Sequence, residues 1–190
     1  EGFTSYVENR IVEEVYGREQ AEMENVNSQF GILADMKDLA PEDQLLALKP
    51  LVGKNPDDAL TEVPYIKGQW FLMFLEQRFG RENFDAFLRQ WFNTHAFTST
   101  HSAEFERFIS HELLEKYPGK VTAEEVAEWM HKPGIPSTAE AAQSKRFDKV
   151  DKQQKQWFSA NKTAAELDTK AWTSHEWVRF IEKMPEVLTV

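Results

Sequence analysis

The 190-residue sequence contains no cysteine. That excludes disulfides, a thiol nucleophile and a cysteine-ligated zinc site, and it leaves the compartment open. No apolar run approaches the roughly 20 residues needed to cross a bilayer, so a membrane is not an expected partner. Alternating runs of β-branched residues, the mark of strands, are missing. Basic residues are the minority, 22 Lys plus Arg against 32 Asp plus Glu, for a net charge of −10. A field of that sign repels phosphate backbones and argues against a nucleic-acid partner. There is no G-x-S-x-G, P-loop or G-x-G-x-x-G, and no repeat of fixed period. Nor do two histidines stand four residues apart among His95, His101, His111, His131 and His175. His111-Glu112 opens an H-E-x-x-H, but the closing position is Glu115. The motif exists to put two imidazoles one helical turn apart on zinc, so this match is false.

What is present is apolar helix. The hydrophobic fraction is 41% and the aromatic fraction 13%, enough to fold, at a length that suits one domain or one and a half. Apolar residues recur with a 3.6-residue period over 70–79 (Phe71, Leu72, Leu75, Phe79), over 84–92 (Phe84, Phe87, Leu88, Trp91) and over 104–117 (Phe105, Phe108, Ile109), which predicts an all-α fold. The opening stretch, 1–17, carries an i, i+4 row of Phe3, Val7, Ile11 and Val15, with no N-cap residue before it. Ser/Thr-x-x-Glu occurs at Thr122, Ser137, Thr163 and Thr173. Each predicts a capping box, in which hydroxyl and carboxylate satisfy reciprocal backbone N–H groups. Gly17, Gly80 and Gly119 stand at expected helix ends, and Pro41 before Glu42-Asp43 at a helix start. The stretch 131–138, HKPGIPST, reads as a rigid linker. Lys145, Arg146, Lys149, Lys152 and Lys155, interleaved with Asp148 and Asp151, read as a solvated helix face.

Two stretches hold the chemistry of interest. Glu1-Gly2 places a carboxylate at the head of an aromatic-rich helix. Residues 55–76 run from an acidic loop through Val63-Pro64-Tyr65 and Lys67-Gly68 into a strongly apolar helix. Pro64 holds the residue before it extended, so Tyr65 marks the passage from loop to helix. Gly68 leaves room for a second backbone to pack on that first turn.

EGFTSYVENRIVEEVYG, VPYIKGQWFLMFLEQRFG, FDAFLRQWFNTHAFTSTHSAEFERF and WMHKPGIPS, in this order and spacing, resemble the zinc aminopeptidases of the gluzincin class, in their leukotriene-A4-hydrolase-like branch. The resemblance implies the helical part of a thermolysin-like catalytic domain over 1–132, a Pro/Gly linker over 133–138, and the start of a C-terminal α-helical domain over 139–190. It implies that Glu1, matching the glutamate of N-E-G-F/H-T, is the third zinc ligand of a His, His, Glu site. It implies that Tyr65, in V-P-Y-x-K-G, donates a hydrogen bond to the oxyanion of the tetrahedral intermediate. Asp57 matches an acidic position near the substrate pocket, and Glu8 a position close to the metal.

The family's H-E-x-x-H, its G-x-M-E-N and its C-terminal basic residues are not in these 190 residues. The expectation is that this chain alone binds no zinc and is inactive, while a full-length parent removes N-terminal residues from peptides. The reading from another class is a helical interaction module that keeps the fold without the chemistry. A catalytic domain represented in part is also expected to self-associate, through apolar surface on the 1–16 helix or the 70–79 region.

Overall fold

A computed structural model of the chain describes residues 1–48, 55, 61–159 and 161–185. Among the described residues it is helical, without strands. The α-helices are α1 (Gly2–Tyr16), α2 (Arg18–Asp35), α3 (Gly68–Phe79), α4 (Arg81–Thr94), α5 (Ser102–Ile109), α6 (Ala123–His131), α7 (Lys145–Phe158) and α8 (Ser174–Glu182). Short 3₁₀ turns stand at Pro41–Gln44 and Ala164–Glu166, and π-turns at Val63–Lys67 and Ser110–Leu114.

The chain divides into two compact units: Glu1–Glu8 with Gln29–Glu140, and Asn9–Ser28 with Ala141–Val190. In the first, α3 is the central element. Its residues Trp70, Phe71, Leu72, Phe74, Leu75 and Phe79 are all buried, the pattern of a helix with a broad buried face. Around it lie Phe84, Phe87 and Trp91 of α4, Phe105 and Ile109 of α5, and Val126, Trp129 and Met130 of α6. Trp129 is fully buried, its ring 5.5 Å from Phe71 and 5.7 Å from Phe74. Ring pairs at such spacing add about 0.5–1.5 kcal/mol each beyond area burial. Gly80, at φ 86°, lets the chain leave α3 and enter α4 with no linker, a backbone conformation that a Cβ would strain.

The two stretches expected to expose apolar surface differ here. On the 70–79 helix the apolar residues are buried, apart from Met73, which is half-buried. On α1 the row Val7, Ile11 and Val15 points outward, at 42%, 57% and 62% exposure. The face that packs inward carries Gly2, Phe3 and Tyr6. Phe3 meets Trp91, Phe92 and Phe105, and Tyr6 packs its ring on Phe84 and donates from its hydroxyl to Glu76.

Three of the four capping boxes form, at Thr122/Glu125, Thr173/Glu176 and, on a single 3₁₀ turn, Thr163/Glu166. Ser137 starts no helix: 137–138 is a turn and 139–140 is irregular. There the Glu140 carbonyl accepts from the Trp70 indole at 2.9 Å. Ser144 caps α7 instead, accepting from the Phe147 N–H.

The second unit is built on α7 and α8. Phe147, Val150 and Phe180 are buried, and Trp157 stacks on Phe180 at 5.6 Å. Lys145, Lys149, Lys152 and Lys155 form the solvated face, but Arg146 leaves it. Its guanidinium bonds both oxygens of Glu176, at 2.6 and 2.8 Å. Arg179 does the same with Asp151 at 3.1 and 3.0 Å, and Lys183 adds a third bond there.

Candidate active site

The turn that carries Tyr65 is a π-turn, a wider coil than an α-helix and a frequent feature of functional sites. Pro64 lies in its first turn, where a missing N–H costs nothing. The Val63 N–H bonds the Thr61 hydroxyl at 3.2 Å, and the Ile66 N–H bonds the Glu62 carbonyl at 2.9 Å. The Gly68 N–H closes onto the Tyr65 carbonyl. Tyr65 is half-buried. Its hydroxyl has no hydrogen-bond partner among the described residues.

Gly68 fulfils the expectation of close backbone approach, and its partner is Gly2. A Cβ built on Gly2 would stand 2.7 Å from both Cα and C of Gly68, and one built on Gly68 would stand 2.9 Å from Cα of Gly2. Only hydrogens fit between these two backbones. The contact fixes the head of α1, and with it Glu1, against the end of the turn that holds Tyr65.

Glu1 is exposed, and its carbonyl accepts the first bond of α1, from Ser5 at 3.2 Å. It lies on the wall of a cavity of about 240 Å³, with Phe3, Pro64, Phe71, Trp91 and His101 among the other walls. Tyr65 and Glu8 do not line this cavity. Glu8 is exposed on α1, and Asp57 lies outside the described residues. His101 is exposed at the N-cap of α5 and forms part of the cavity rim. His95 is held otherwise, its Nδ1 2.9 Å from the Trp91 carbonyl and its ring 3.9 Å from the Trp91 ring.

A carboxylate is a fit donor for zinc. Among the described residues no three His, Cys, Asp or Glu side chains gather as a metal site. The false motif at 111–115 is a pairing within one turn. Glu112 binds His111 Nδ1 at 2.9 Å and Lys116. Chiefly the Lys116 hydrogen bond holds its carboxyl below the usual carboxylate range.

Sequence reading passed over Lys67. It is fully buried, and its Nζ donates to the carbonyls of Gln44 at 2.8 Å and Lys132 at 2.7 Å. Burial lowers its ammonium to about 8. The available signal was a single charged residue in the run from Val63 to Leu75.

Residues 1–132 match the Peptidase family M1 domain. Over 97% of its length the chain is 31% identical to a leukotriene A-4 hydrolase homolog of Botryotinia fuckeliana, covering 29% of that protein. It is likewise 31% identical to leucine aminopeptidase 2 of Sclerotinia sclerotiorum, again over 97% of this chain and 31% of that one. A solved structure of yeast LTA4 hydrolase in complex with bestatin superposes with a TM-score of 0.82 over 96% of this chain and 31% of that one, at 25% identity. The chain thus spans about a third of the length of the relatives it matches.

Proposed function

As this chain belongs to peptidase family M1, whose members are zinc-dependent in general, we propose that it forms part of an aminopeptidase that removes N-terminal residues from peptides. In this reading Glu1 is one metal ligand and Tyr65 is the oxyanion donor. The observation that carries it is the Gly2–Gly68 contact, which binds the backbone beside the carboxylate to the backbone beside the phenol.

Zinc, when bound, polarises a scissile carbonyl. Its other protein ligands lie outside the described residues. The chain's own contribution is electrostatic. Among the described residues the Tyr65 hydroxyl is an uncommitted donor, on a turn fixed from both ends. Such a donor stabilises charge that develops on the carbonyl oxygen without having to reorient during the reaction. The cavity beside Glu1 has Phe3, Phe71, Trp91 and Phe105 with Leu46, Leu72 and Met130 among its walls, which suits it to an apolar side chain. Asp57 and Glu8 belong to this proposal only as acidic positions of the same region.

The test is release of the N-terminal residue from peptide amides by the intact protein, with and without a chelator. Tyr65→Phe is expected to lower kcat about 10²–10³-fold, the usual cost of one oxyanion donor, with the thermal transition unchanged. Absence of chelator-sensitive release, or a Tyr65→Phe variant as fast as wild type, refutes the reading. The first of these results favours the interaction module.

A further inference from the structure

Lys67 poses a physical problem. A buried ammonium is costly unless its N–H groups are satisfied, and long cationic side chains ordinarily reach back to water. Lys67 does not, and among the described residues no carboxylate neutralises it. It spends its charge on two main-chain oxygens, those of Gln44 and Lys132. Gln44 is itself buried. Its Nε2 donates to the Met36 and Leu39 carbonyls, both at 2.9 Å, and its Oε1 accepts from the Gly134 N–H at 2.9 Å. The end of α2, the 41–44 turn, the π-turn and the chain after α6 therefore converge on two side chains.

An apolar residue would fill the same space at no desolvation cost. What it would lack is a fixed distance to residues 44 and 132. Lys67 is the last residue of the π-turn, two positions after Tyr65 and one before the Gly68 contact. Its hydrogen bonds hold one side of the turn, and Gly2 holds the other.

We propose that Lys67 is a positioning residue for Tyr65: its bonds to the Gln44 and Lys132 carbonyls fix the π-turn and thereby the direction of the phenol. This role rests on the aminopeptidase reading above. It is tested with Lys67→Met in the intact protein, alone and combined with Tyr65→Phe. The Ile66 and Gly68 amides, bonded within the turn, should exchange about tenfold faster or more, while those of residues 84–92 stay as in wild type. In turnover, kcat should fall about tenfold to hundredfold with KM changed by less than about twofold. Added to Tyr65→Phe, Lys67→Met should cost nothing more, since the phenol it directs is gone.

Unchanged exchange at Ile66 and Gly68 overturns the proposal. So does a kcat loss that multiplies with that of Tyr65→Phe, the signature of a lysine acting on the fold at large. If Lys67→Met does not fold, Lys67→Gln, which keeps a donor on a neutral side chain, is measured in the same way. A wild-type protein without peptidase activity defeats the functional reading instead, and amide exchange alone then decides whether the clamp exists.

Discussion

Replacing Gly68 by alanine sets two effects of opposite sign against each other. In helical backbone, glycine to alanine ordinarily stabilises by about 1 kcal/mol. At Gly68 the added carbon would meet Gly2 Cα at 2.9 Å and Gly2 N at 3.4 Å. Non-bonded carbons rest about 3.5–4.0 Å apart, so the two backbones have to separate by about 0.6–1 Å. The obstacle is main chain and cannot rotate away. Shifts of that kind cost about 1–3 kcal/mol, which leaves a net loss of up to about 2 kcal/mol after the propensity gain. Gly2→Ala should lose more, because its Cβ would meet two Gly68 atoms at 2.7 Å and the Gln69 nitrogen at 3.1 Å. Gly31 is the control: it lies within α2 with no atom within 4 Å of an added Cβ. Gly31→Ala should therefore gain the ordinary fraction of about 1 kcal/mol. Urea midpoints at constant m-value give all three numbers. Because a displacement near 1 Å moves the Tyr65 turn away from Glu1, kcat/KM of Gly68→Ala should also fall about a hundredfold. A Gly68→Ala protein stabilised as much as Gly31→Ala would refute the tight crossing, and with it the argument that Glu1 and Tyr65 are held together.

Two further outcomes concern charge. Burial lowers the Lys67 ammonium to about 8, whereas lysine in an unfolded chain titrates near 10.4. Between those values the unfolded chain binds more protons, so stability from this group rises with pH, by about 2 kcal/mol across the window. Urea unfolding from pH 7 to 10 should show that rise in wild type relative to Lys67→Met, and parallel curves would contradict the buried cation. In the second unit, burial alone would raise the Glu176 carboxyl. Hydrogen bonds from Thr173 and Arg146 outweigh it and hold the group below the usual range. Its stabilisation is therefore present above the ordinary carboxylate pKa and is lost as pH falls through the lowered one. Arg146→Met, which leaves Glu176 buried at 3% exposure, should cost about 2–4 kcal/mol at pH 7 and flatten the acid limb of a thermal-stability profile. An intact acid limb in that variant would show that Thr173 suffices.

Much of this was legible in the residues, for local reasons. The helical period located α3, α4 and α5, because a helix that buries one face must repeat apolar residues at that spacing. Capping boxes located α6 and α8, because their bonds span three residues and need no tertiary partner. Gly68 announced a close approach, since glycine opening an apolar helix has few other uses. What failed was partner choice. On α1 the i, i+4 row was visible, but which face turns inward depends on Gly2 meeting Gly68, a contact 66 positions away in the chain. Ser137 had the spacing of a cap and no helix to cap, because Trp70 claims the Glu140 carbonyl. The partners of Lys67 could not be read from the residues, since they are carbonyls, which every residue has. Glu1 and Tyr65 were nominated through resemblance. Spacing alone could not have set the backbone next to Glu1 against the residue that follows the Tyr65 turn.

The distribution of indoles has an optical consequence. Trp70, Trp91 and Trp129 of the first unit are exposed by 4%, 4% and 0%. Trp157 and Trp172 of the second are only partly covered, and Trp177 is 42% exposed. The two units thus carry native chromophores in different surroundings, a shielded set emitting to the blue and a wetter set open to acrylamide. A quenching titration during denaturation separates their unfolding with no label attached, and reports whether the part that holds Tyr65 melts first, last or together with the rest.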